Sequence, residues 1–470
     1  MTQLVEIPVW LLVLIVGFAA IAALDKVMLP SVRWFFRRRL EKAVAQLNER
    51  LERPIQPFKL ARRYDMIQRL IYDPEVSQAI ADHARAEGVP ENVAFEKARK
   101  YAREIVPSFS ASAYFGFAIR AARFLSNALY RVRLGHHDEE ALKQIDPKAT
   151  VVFVMNHRSN MDYVLVTYLA AERSALSYAV GEWARVWPLS RLIRAMGAYF
   201  IRRRARNELY SRILARYVQL AMRGGVTQAF FPEGGLSVQG KLMPLKLGLL
   251  NYIVDGFEQT ERDVVFVPVA LNYDRVLEDR VLLQAAQSGR RRFRARISVI
   301  AGFALKQLWL RITGRFYRFG YAAVSFGAPV SLNAFIDQYP SETTRRLGTF
   351  LFNRIGELVP VLPVPLTASV LLEQGAMTRA EVEAAMKEAM AHMPQAHIHL
   401  PRQDHAYMAE VGLRHLLKRH IIRQDGDIYR IDEKERPVCQ FYANSIAHLA
   451  GRKIAENAAT AKQHSAAAGS

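Results

Sequence analysis

The chain of 470 residues is long enough for two or three domains. Hydrophobic residues make up 51% and charged residues 23% of it, so it can bury a sizeable core and a disordered protein is excluded. Lysine and arginine outnumber aspartate and glutamate by 65 to 44, a net charge of +21 that favours anionic partners: nucleic acid, an acidic membrane surface or phosphorylated and CoA-type substrates. The single cysteine, Cys439, excludes an internal disulfide and a CxxC-type zinc or redox site.

The first feature along the chain is an uncharged apolar segment from Ile7 to Leu24, at the lower end of the length that spans a hydrocarbon core. A cleaved signal peptide is the alternative, but no lysine or arginine precedes the segment. Positive residues instead follow it, between Lys26 and Lys42. The positive-inside rule therefore predicts a transmembrane anchor within residues 1–30, with the bulk of the chain on the cytoplasmic side.

A helical region and an α/β core are predicted next. Over 31–144 apolar residues recur three and four positions apart, with breaks at proline and glycine. The pattern then changes: short apolar runs at 151–155, 228–231 and 264–271 are typical of buried strands, and helical stretches alternate with them. Strand–helix alternation predicts an α/β domain over 145–335.

The remainder of the chain is predicted to be mostly helical over 336–456, with a disordered tail at 457–470. Three methionines, Met386, Met390 and Met393, form a stripe at helical spacing. Such a stripe indicates a core-facing helix rather than a cofactor site. Histidines at 136–137 and between 392 and 405 lack metal-ligand spacing, so no metal site is predicted.

A pair that can carry acid–base chemistry follows the first strong strand, in the sequence NHRSNMDY at 156–163. His157 and Asp162 are separated by four residues, so a turn can bring the carboxylate back to the imidazole. A carboxylate on one ring nitrogen fixes the tautomer and leaves the other nitrogen to take a proton from an alcohol. Alone the spacing is weak, because such pairs are more often loop hydrogen bonds.

Three further blocks follow this pair: GAYFIRR at 197–203, FPEGG at 231–235 and VPVA at 267–270. In order, spacing and context the four blocks resemble the glycerolipid acyltransferase family, and their detail is similar to its membrane-bound bacterial glycerol-3-phosphate acyltransferases. The resemblance extends to segments near 361–372 and 442–448 and covers about residues 145–450. It implies a core with a mixed sheet flanked by helices.

The resemblance implies transfer of a fatty acyl chain from acyl-CoA or acyl-carrier protein to the 1-hydroxyl of glycerol 3-phosphate, giving lysophosphatidate at a bacterial inner membrane. His157 would be the general base, oriented by Asp162, and Arg202 would hold the acceptor's phosphate, for which bidentate geometry is suited. Glu233 and Gly234 match the block that shapes the acceptor site. A thioester is reactive enough for direct attack, so no covalent intermediate, metal or other cofactor is implied.

The predicted substrate-binding residues belong to these blocks and to the polar positions beside them. They are Arg158, Ser159, Phe200, Arg202, Arg203, Glu233, Gly234, Ser237, Lys241 and Pro268. Pro268 matches the block placed near the acyl donor. Ser237 lacks a G-x-S-x-G elbow, so a hydrogen bond to the substrate is expected of it rather than nucleophilic attack.

One position departs from the family pattern. Leu236 stands where the family commonly carries an arginine after FPEGG. This leaves open whether the acceptor is instead lysophosphatidate or another lysophospholipid. Lys241 replaces the missing charge only in part, and Arg158, Arg203 and Arg204 are other candidates.

Two alternatives concern the partners of the chain. A basic, amphipathic stretch at 303–318 fits a helix on an anionic phospholipid membrane and equally an ordinary packed helix with a basic outer face. The arginine-rich run at 290–294 has no accompanying nucleic-acid motif, so nucleic acid is not expected as a partner. For the function itself, the alternative from another class is a non-catalytic, membrane-associated protein that binds lipid or acyl-carrier protein.

Overall fold

The computed structural model describes residues 44–170, 174–181, 189–202, 207–259, 262–288 and 317–450, together with a few short pieces outside these ranges. The chain divides into two compact units, residues 1–55 and 56–470. In the first unit residues 44–48 are helical, and the Ile55 N–H donates to Asn48 Oδ1 over 2.8 Å.

Several predictions made from the sequence fall outside these residues. Apart from single positions, the proposed anchor at 7–24 and most of the stretch at 303–318 are not described, and neither are Arg203 and the tail at 457–470. Within the described ranges, every helix is too short or too polar to cross a membrane.

The second unit is built around an eight-stranded mixed sheet. Its strands are β1 (Arg131–His137), β2 (Thr150–Met155), β3 (Ser177–Gly181), β4 (Tyr199–Ile201), β5 (Gln228–Phe230), β6 (Val264–Tyr273), β7 (Tyr321–Phe326) and β8 (Val330–Ser331). The spatial order is β1-β7-β6-β2-β5-β3-β4, and β8 pairs with β6. Strands β2 to β6 are parallel to one another, whereas β7 is antiparallel to β6 and parallel to β1.

Helices precede the sheet, connect its strands and follow it. Those before and within the sheet are α1 (Pro57–Leu60), α2 (Arg63–Ile71), α3 (Pro74–Glu87), α4 (Glu91–Ile105), a π-helical turn at Ser112–Ala118 that continues into α5 (Ile119–Leu129), α6 (Glu139–Lys143), α7 (Met161–Leu169), α8 (Leu189–Ala195), α9 (Glu208–Arg223), α10 (Gly248–Asp255) and α11 (Asp279–Ser288). Those after it are α12 (Leu332–Gln338), α13 (Thr343–Leu358), α14 (Pro363–Gln374), α15 (Arg379–Ala391), α16 (His405–Lys418), α17 (Arg436–Ala443) and α18 (Ala447–Ala450), with 3₁₀ turns at Pro401–Gln403 and Glu433–Glu435.

The sheet is buried on both faces. Along β2, Val151, Phe153 and Met155 belong to one apolar cluster, and Val152 and Val154 belong to another. Successive residues of a strand point to opposite faces, so each face of the sheet packs against its own layer of helices. The mixed sheet flanked by helices that the sequence predicted is confirmed.

A small second sheet lies in the C-terminal region, where β9 (Met377–Thr378), β10 (Ile422–Asp425) and β11 (Ile428–Ile431) pair in the antiparallel order β10-β11-β9. The methionine stripe is buried: Met386, Met390 and Met393 are all at most 8% exposed within the apolar cluster that includes Val151. The stripe is therefore part of the core, as predicted.

The parallel strands determine where the chain's functional blocks meet. Val154 of β2 pairs with Phe230 of β5, and Gly181 of β3 pairs with Ile201 of β4. The carboxyl ends of these four strands therefore lie along one edge of the sheet, which is where open α/β sheets bind ligands.

Candidate active site

His157 and Asp162 form a buried pair just beyond the carboxyl end of β2. Nδ1 of His157 lies 2.9 Å from Oδ2 of Asp162, and the two side chains are 1% and 0% exposed. The same Oδ2 accepts the backbone N–H groups of Arg158 (2.7 Å) and Ser159 (3.0 Å). With Nδ1–H donating to the carboxylate, Nε2 becomes the basic nitrogen of the imidazole.

The second oxygen of Asp162 is held from β6. The Tyr273 hydroxyl donates to Oδ1 over 2.6 Å, and Tyr273 is completely buried. No sequence motif indicated this residue, because it lies two positions beyond the apolar run at 264–271 from which the strand was predicted. The carboxylate is therefore fixed through both oxygens.

Glu278 organises the turn between β2 and α7. The Ser159 hydroxyl donates to its Oε2 over 2.8 Å, and the Asn160 N–H and side-chain amide donate to its Oε1 over 3.2 and 2.9 Å. Burial raises the pKa of Glu278 above its ordinary value, although these hydrogen bonds act in the opposite direction. Ser159, predicted to bind substrate, is thus engaged in shaping the turn that positions the pair.

Glu233 connects the FPEGG loop to the backbone of His157. Its Oε1 accepts the His157 N–H and its Oε2 accepts the Met243 N–H, each over 2.8 Å. Glu233 is 3% exposed, and burial raises its pKa to about 7 against the opposing effect of these two hydrogen bonds. The carboxylate thus serves as a brace for the loop.

Ser237 belongs to the same brace. Its backbone N–H donates to the His157 carbonyl over 3.0 Å, and its hydroxyl donates to the Lys241 carbonyl over 2.5 Å. His157 is therefore held on both sides by the loop that follows β5. The Lys241 side chain itself is exposed.

Arg158 is a buried cation next to this brace. It is 3% exposed, donates through Nη1 to the Gly240 carbonyl, and lies with its guanidinium carbon 5.5 Å from the centre of the Phe441 ring. Within the described part of the chain its Nε and Nη2 meet no hydrogen-bond partner. Burial lowers its pKa, partly offset by the charges of Glu233 and Asp162.

Arg202, at the end of β4, is paired with Glu104 of α4. Its Nε and Nη2 donate to the two carboxylate oxygens over 2.8 and 2.7 Å, and Arg185 adds a third contact of 2.6 Å. Burial acts to raise the pKa of Glu104, but the two arginines outweigh it and hold that pKa below its ordinary value. Arg202 thus lies at the edge of the sheet where β4 ends, and its positive charge is paired with Glu104.

Two other predicted residues are parts of the sheet itself. Phe200 is fully buried in β4, and Pro268 is paired with Val154 in the middle of β6. The Pro268 carbonyl accepts the Gly327 N–H over 2.8 Å.

A cavity of about 360 Å³ opens at the same edge of the sheet. Its walls are mostly apolar and come from β3, β4, β5, the FPEGG loop, α9 and α10. The lining residues are Ala179, Val180, Gly181, Ile201, Leu214, Phe230, Phe231, Gly234, Lys246, Gly248, Leu249 and Tyr252. The cavity adjoins the buried pair of His157 and Asp162 through Phe231, whose ring stacks on His157 with centroids 3.9 Å apart and planes inclined by 18°.

The C-terminal region contacts the loop after β5 and the strand β6. The Asn444 side-chain amide donates to the Gln239 carbonyl over 2.8 Å, and Asn272 of β6 donates to the Ser445 hydroxyl over 3.2 Å. Gly240, at a φ of 81°, lies directly against the Phe441 backbone. The segment near 442–448, which the sequence resemblance included, thus supports the loop that follows β5.

Comparison with known proteins matches two stretches of the chain. A family model described as "Acyltransferase" matches residues 133–272, and one described as "Glycerol-3-phosphate acyltransferase C-terminal region" matches residues 308–455. The first contains the dyad and the FPEGG loop, and the second contains the segments that support them.

Curated relatives carry the same description. A glycerol-3-phosphate acyltransferase of Pseudomonas entomophila (strain L48) is 28% identical over 425 residues, and one of Pseudomonas putida (strain KT2440) is 27% identical; each alignment covers 83% of this chain and 49% of the relative. The chain thus spans about half the length of these relatives.

Among solved structures, the crystal structure of the 1-acyl-sn-glycerophosphate (LPA) acyltransferase PlsC from Thermotoga maritima is 18% identical and covers 55% of this chain and 79% of its own. Its TM-score of 0.33 is too low to assign the fold. The two family models together match more than half of the chain, and they agree with the curated relatives. The chain therefore contains an acyltransferase domain followed by a region that matches the C-terminal region of glycerol-3-phosphate acyltransferases.

Proposed function

We propose that the chain transfers a fatty acyl group from acyl-CoA or acyl-carrier protein to the 1-hydroxyl of glycerol 3-phosphate, producing lysophosphatidate. The buried pair of His157 and Asp162 carries the proposal, because its geometry suits removal of a proton from an alcohol. The family models that match the chain and the names of its relatives support the choice of acceptor.

The chemistry proposed for the pair is a direct acyl transfer. Nε2 of His157 takes the proton of the acceptor hydroxyl while the oxygen of that hydroxyl attacks the thioester carbonyl. Asp162 stabilises the resulting imidazolium. Collapse of the tetrahedral adduct breaks the carbon–sulfur bond, and the imidazolium returns its proton to the departing thiolate. No enzyme nucleophile is needed. In agreement, Cys439 is completely buried, and burial raises the pKa of its thiol to about 12.

The proposed setting is the cytoplasmic face of a bacterial inner membrane. The uncharged segment at 7–24, the positive residues after it and the net charge of +21 support attachment to an anionic phospholipid surface. This location suits the reaction, since the acceptor is water-soluble and the acylated product partitions into the bilayer.

Among the substrate contacts predicted from the sequence, the cations are Arg158, Arg202, Arg203 and Lys241. Of these, Arg158 retains hydrogen-bonding capacity toward a ligand within the described part of the chain. Arg202 could hold a phosphate only by sharing its guanidinium with Glu104.

The test is a product assay on the purified, detergent-solubilised full chain with labelled palmitoyl-CoA and glycerol 3-phosphate. We expect lysophosphatidate from the unaltered protein and none from the His157→Ala variant. The His392→Ala variant is the matched control, because His392 is exposed at the end of α15. Lack of turnover with both palmitoyl-CoA and palmitoyl acyl-carrier protein would refute the proposal and favour a non-catalytic binding protein.

A second acceptor is proposed because of Leu236. This residue replaces an expected arginine, and its side chain packs against the core instead of presenting a charge. Product formation from lysophosphatidate alone would retain the mechanism and assign the enzyme to the next acylation.

A further inference from the structure

We propose that Lys246 binds the phosphate of the acyl acceptor, with the cavity beside Phe231 receiving that acceptor. The inference rests on the proposed function for the identity of the reaction, and it adds a residue that the sequence motifs did not single out. The ligand chemistry is a phosphomonoester, which both glycerol 3-phosphate and lysophosphatidate carry.

Position is the first argument. The cavity of about 360 Å³ shares Phe231 with the catalytic pair, since that ring lines the cavity and stacks on His157. A molecule bound there lies against the ring that stacks on the imidazole proposed to deprotonate it. The cavity also lies at the carboxyl ends of β3, β4 and β5, the edge where α/β sheets bind ligands.

Charge is the second argument. Among the described residues that line the cavity, Lys246 carries the one charge, and no carboxylate lines the cavity beside it. The ammonium is exposed, and within the described part of the chain neither a hydrogen bond nor an ion pair occupies it. A cation beside a mostly apolar wall is suited to a small ligand with one anionic end.

The loop holds this lysine in place. The Lys246 N–H donates to the Pro232 carbonyl over 2.7 Å, which ties the residue to the FPEGG block. Gly234 has a φ of 64°, and a Cβ at that position would lie 2.8 Å from the Lys246 Cδ. The glycine therefore provides the space along which the lysine side chain runs.

Two other cations of the motifs, Arg202 and Arg158, are differently engaged. Glu104 already pairs with Arg202, and Arg158 is buried between Gly240 and Phe441. Leu236 supplies no charge. Lys246 therefore replaces the arginine missing at that position, from ten residues further along the same loop.

The experiment compares Lys246→Met, which keeps the apolar stem and removes the charge, with Lys246→Arg, which keeps a charge. Lys387→Met is the control, because Lys387 is an exposed lysine on α15. With palmitoyl-CoA as donor, we expect Lys246→Met to raise KM for the phosphorylated acceptor by about 10- to 100-fold, because a charge-assisted hydrogen bond is lost. Lys246→Arg should restore most of the affinity, and KM for palmitoyl-CoA should not change.

The acceptor arms identify the source of the phosphomonoester. A rise in KM for glycerol 3-phosphate or for lysophosphatidate supports the inference and shows which of the two uses the site. Unphosphorylated glycerol should be an equally poor acceptor for the unaltered protein and for Lys246→Met. The inference is overturned if Lys246→Met leaves KM for both phosphorylated acceptors unchanged, or raises only KM for palmitoyl-CoA. It is also overturned if KM for the acceptors rises only in the Lys241→Met variant.

A binding measurement separates this inference from the proposed function. Titration calorimetry of glycerol 3-phosphate and of lysophosphatidate into the His157→Ala protein measures the phosphate site without turnover. Binding that Lys246→Met weakens about tenfold or more supports the site even if the unaltered chain proves inactive. The inference is refuted if the His157→Ala protein binds the acceptors equally well with and without Lys246→Met, or if it binds neither acceptor. This holds whether or not acyl transfer is observed.

Discussion

The hydroxyl of Tyr273 donates a 2.6 Å hydrogen bond to Oδ1 of Asp162, while Oδ2 of the same carboxylate contacts Nδ1 of His157. Tyr273 is thus a positioning residue that acts on the base through the aspartate. Loss of this bond would leave more of the carboxylate's negative charge facing the imidazolium, but it would also release the orientation in which Asp162 holds the imidazole.

We therefore expect Tyr273→Phe to lower kcat about 10-fold, the value of one buried hydrogen bond to a charged group. It should also shift the acidic limb of the kcat/KM profile to higher pH. Tyr130→Phe is the matched control, since Tyr130 packs against Tyr273 but donates its hydroxyl to the Arg275 carbonyl. A lower rate with an unshifted profile would mean that Tyr273 only supports the fold.

The charge of Asp162 is tested by Asp162→Asn. The amide preserves the volume of the side chain but cannot stabilise an imidazolium or fix the productive tautomer. We expect kcat to fall about 10³- to 10⁴-fold, as for the corresponding change in other carboxylate–histidine pairs. Thermal unfolding of the variant checks that the loss is chemical; a kcat within tenfold of the unaltered protein contradicts the proposed role.

Glu233 predicts a pH dependence of stability. Its pKa rises on folding from 4.5 to about 7, so the folded chain binds this proton more tightly than the unfolded chain. The contribution of Glu233 to the free energy of unfolding is therefore greatest below pH 4.5, decreases as the pH rises, and reaches its lowest level above about 7.

Urea unfolding of the unaltered protein and of Glu233→Gln at several pH values between 4.5 and 8 measures this effect, because glutamine does not titrate. The difference between the two proteins should decrease with rising pH. Glu233→Gln also places an amide NH₂ against a backbone N–H of His157 or Met243, so we expect a loss of about 1–3 kcal/mol at the lowest pH. A difference that does not vary with pH would show that Glu233 does not titrate in this range.

The pair of Arg202 and Glu104 is expected to stabilise the chain, since it joins the end of β4 to α4. The Glu104 side chain is 4% exposed, so Arg202→Ala leaves a buried carboxylate with Arg185 as its remaining partner. We expect the free energy of unfolding to decrease by about 2 kcal/mol at pH 7. The lowered pKa of Glu104 means that this cost should shrink as the pH falls through it and the carboxylate is protonated.

Acceptor kinetics well below the unfolding temperature then measure the other predicted role of Arg202. A raised KM for glycerol 3-phosphate in Arg202→Ala, with kcat retained, supports a phosphate contact in addition to the ion pair. Arg212→Ala is the control, because its i,i+4 contact with Glu208 is exposed. An unchanged KM together with reduced stability would assign Arg202 to the fold alone.

The sequence predicted three of the strands that are buried on both faces, namely β2, β5 and β6. Runs such as the one in β6 are continuously apolar because no residue faces water. In contrast, β1 lies before the predicted start of the core at 145. Its Arg131 and Arg133 sit on a partly exposed edge strand, so its pattern lacks the apolar run that identified the others.

In the site, contacts between residues close in sequence could be predicted, whereas contacts between residues far apart in sequence could not. His157 and Asp162 are close in sequence, so their spacing suggested a contact. Tyr273 is separated from Asp162 by 111 positions and Glu104 from Arg202 by 98. Lys246 reaches the cavity only because the loop after β5 folds back. No spacing in a single sequence indicates such partners, since they depend on how strands and helices are arranged.

The contact of Asn444 with Gln239 bears on the order in which the site is assembled as the chain is synthesised. The loop that holds His157 is synthesised about two hundred residues before the amide that braces it. When all strands of the eight-stranded sheet have been synthesised, Phe441 and Asn444 have therefore not yet been added to the chain. Under the proposed function, acyl transfer should begin only when α17 docks, so a nascent or truncated chain that already possesses His157 and Asp162 would remain inactive.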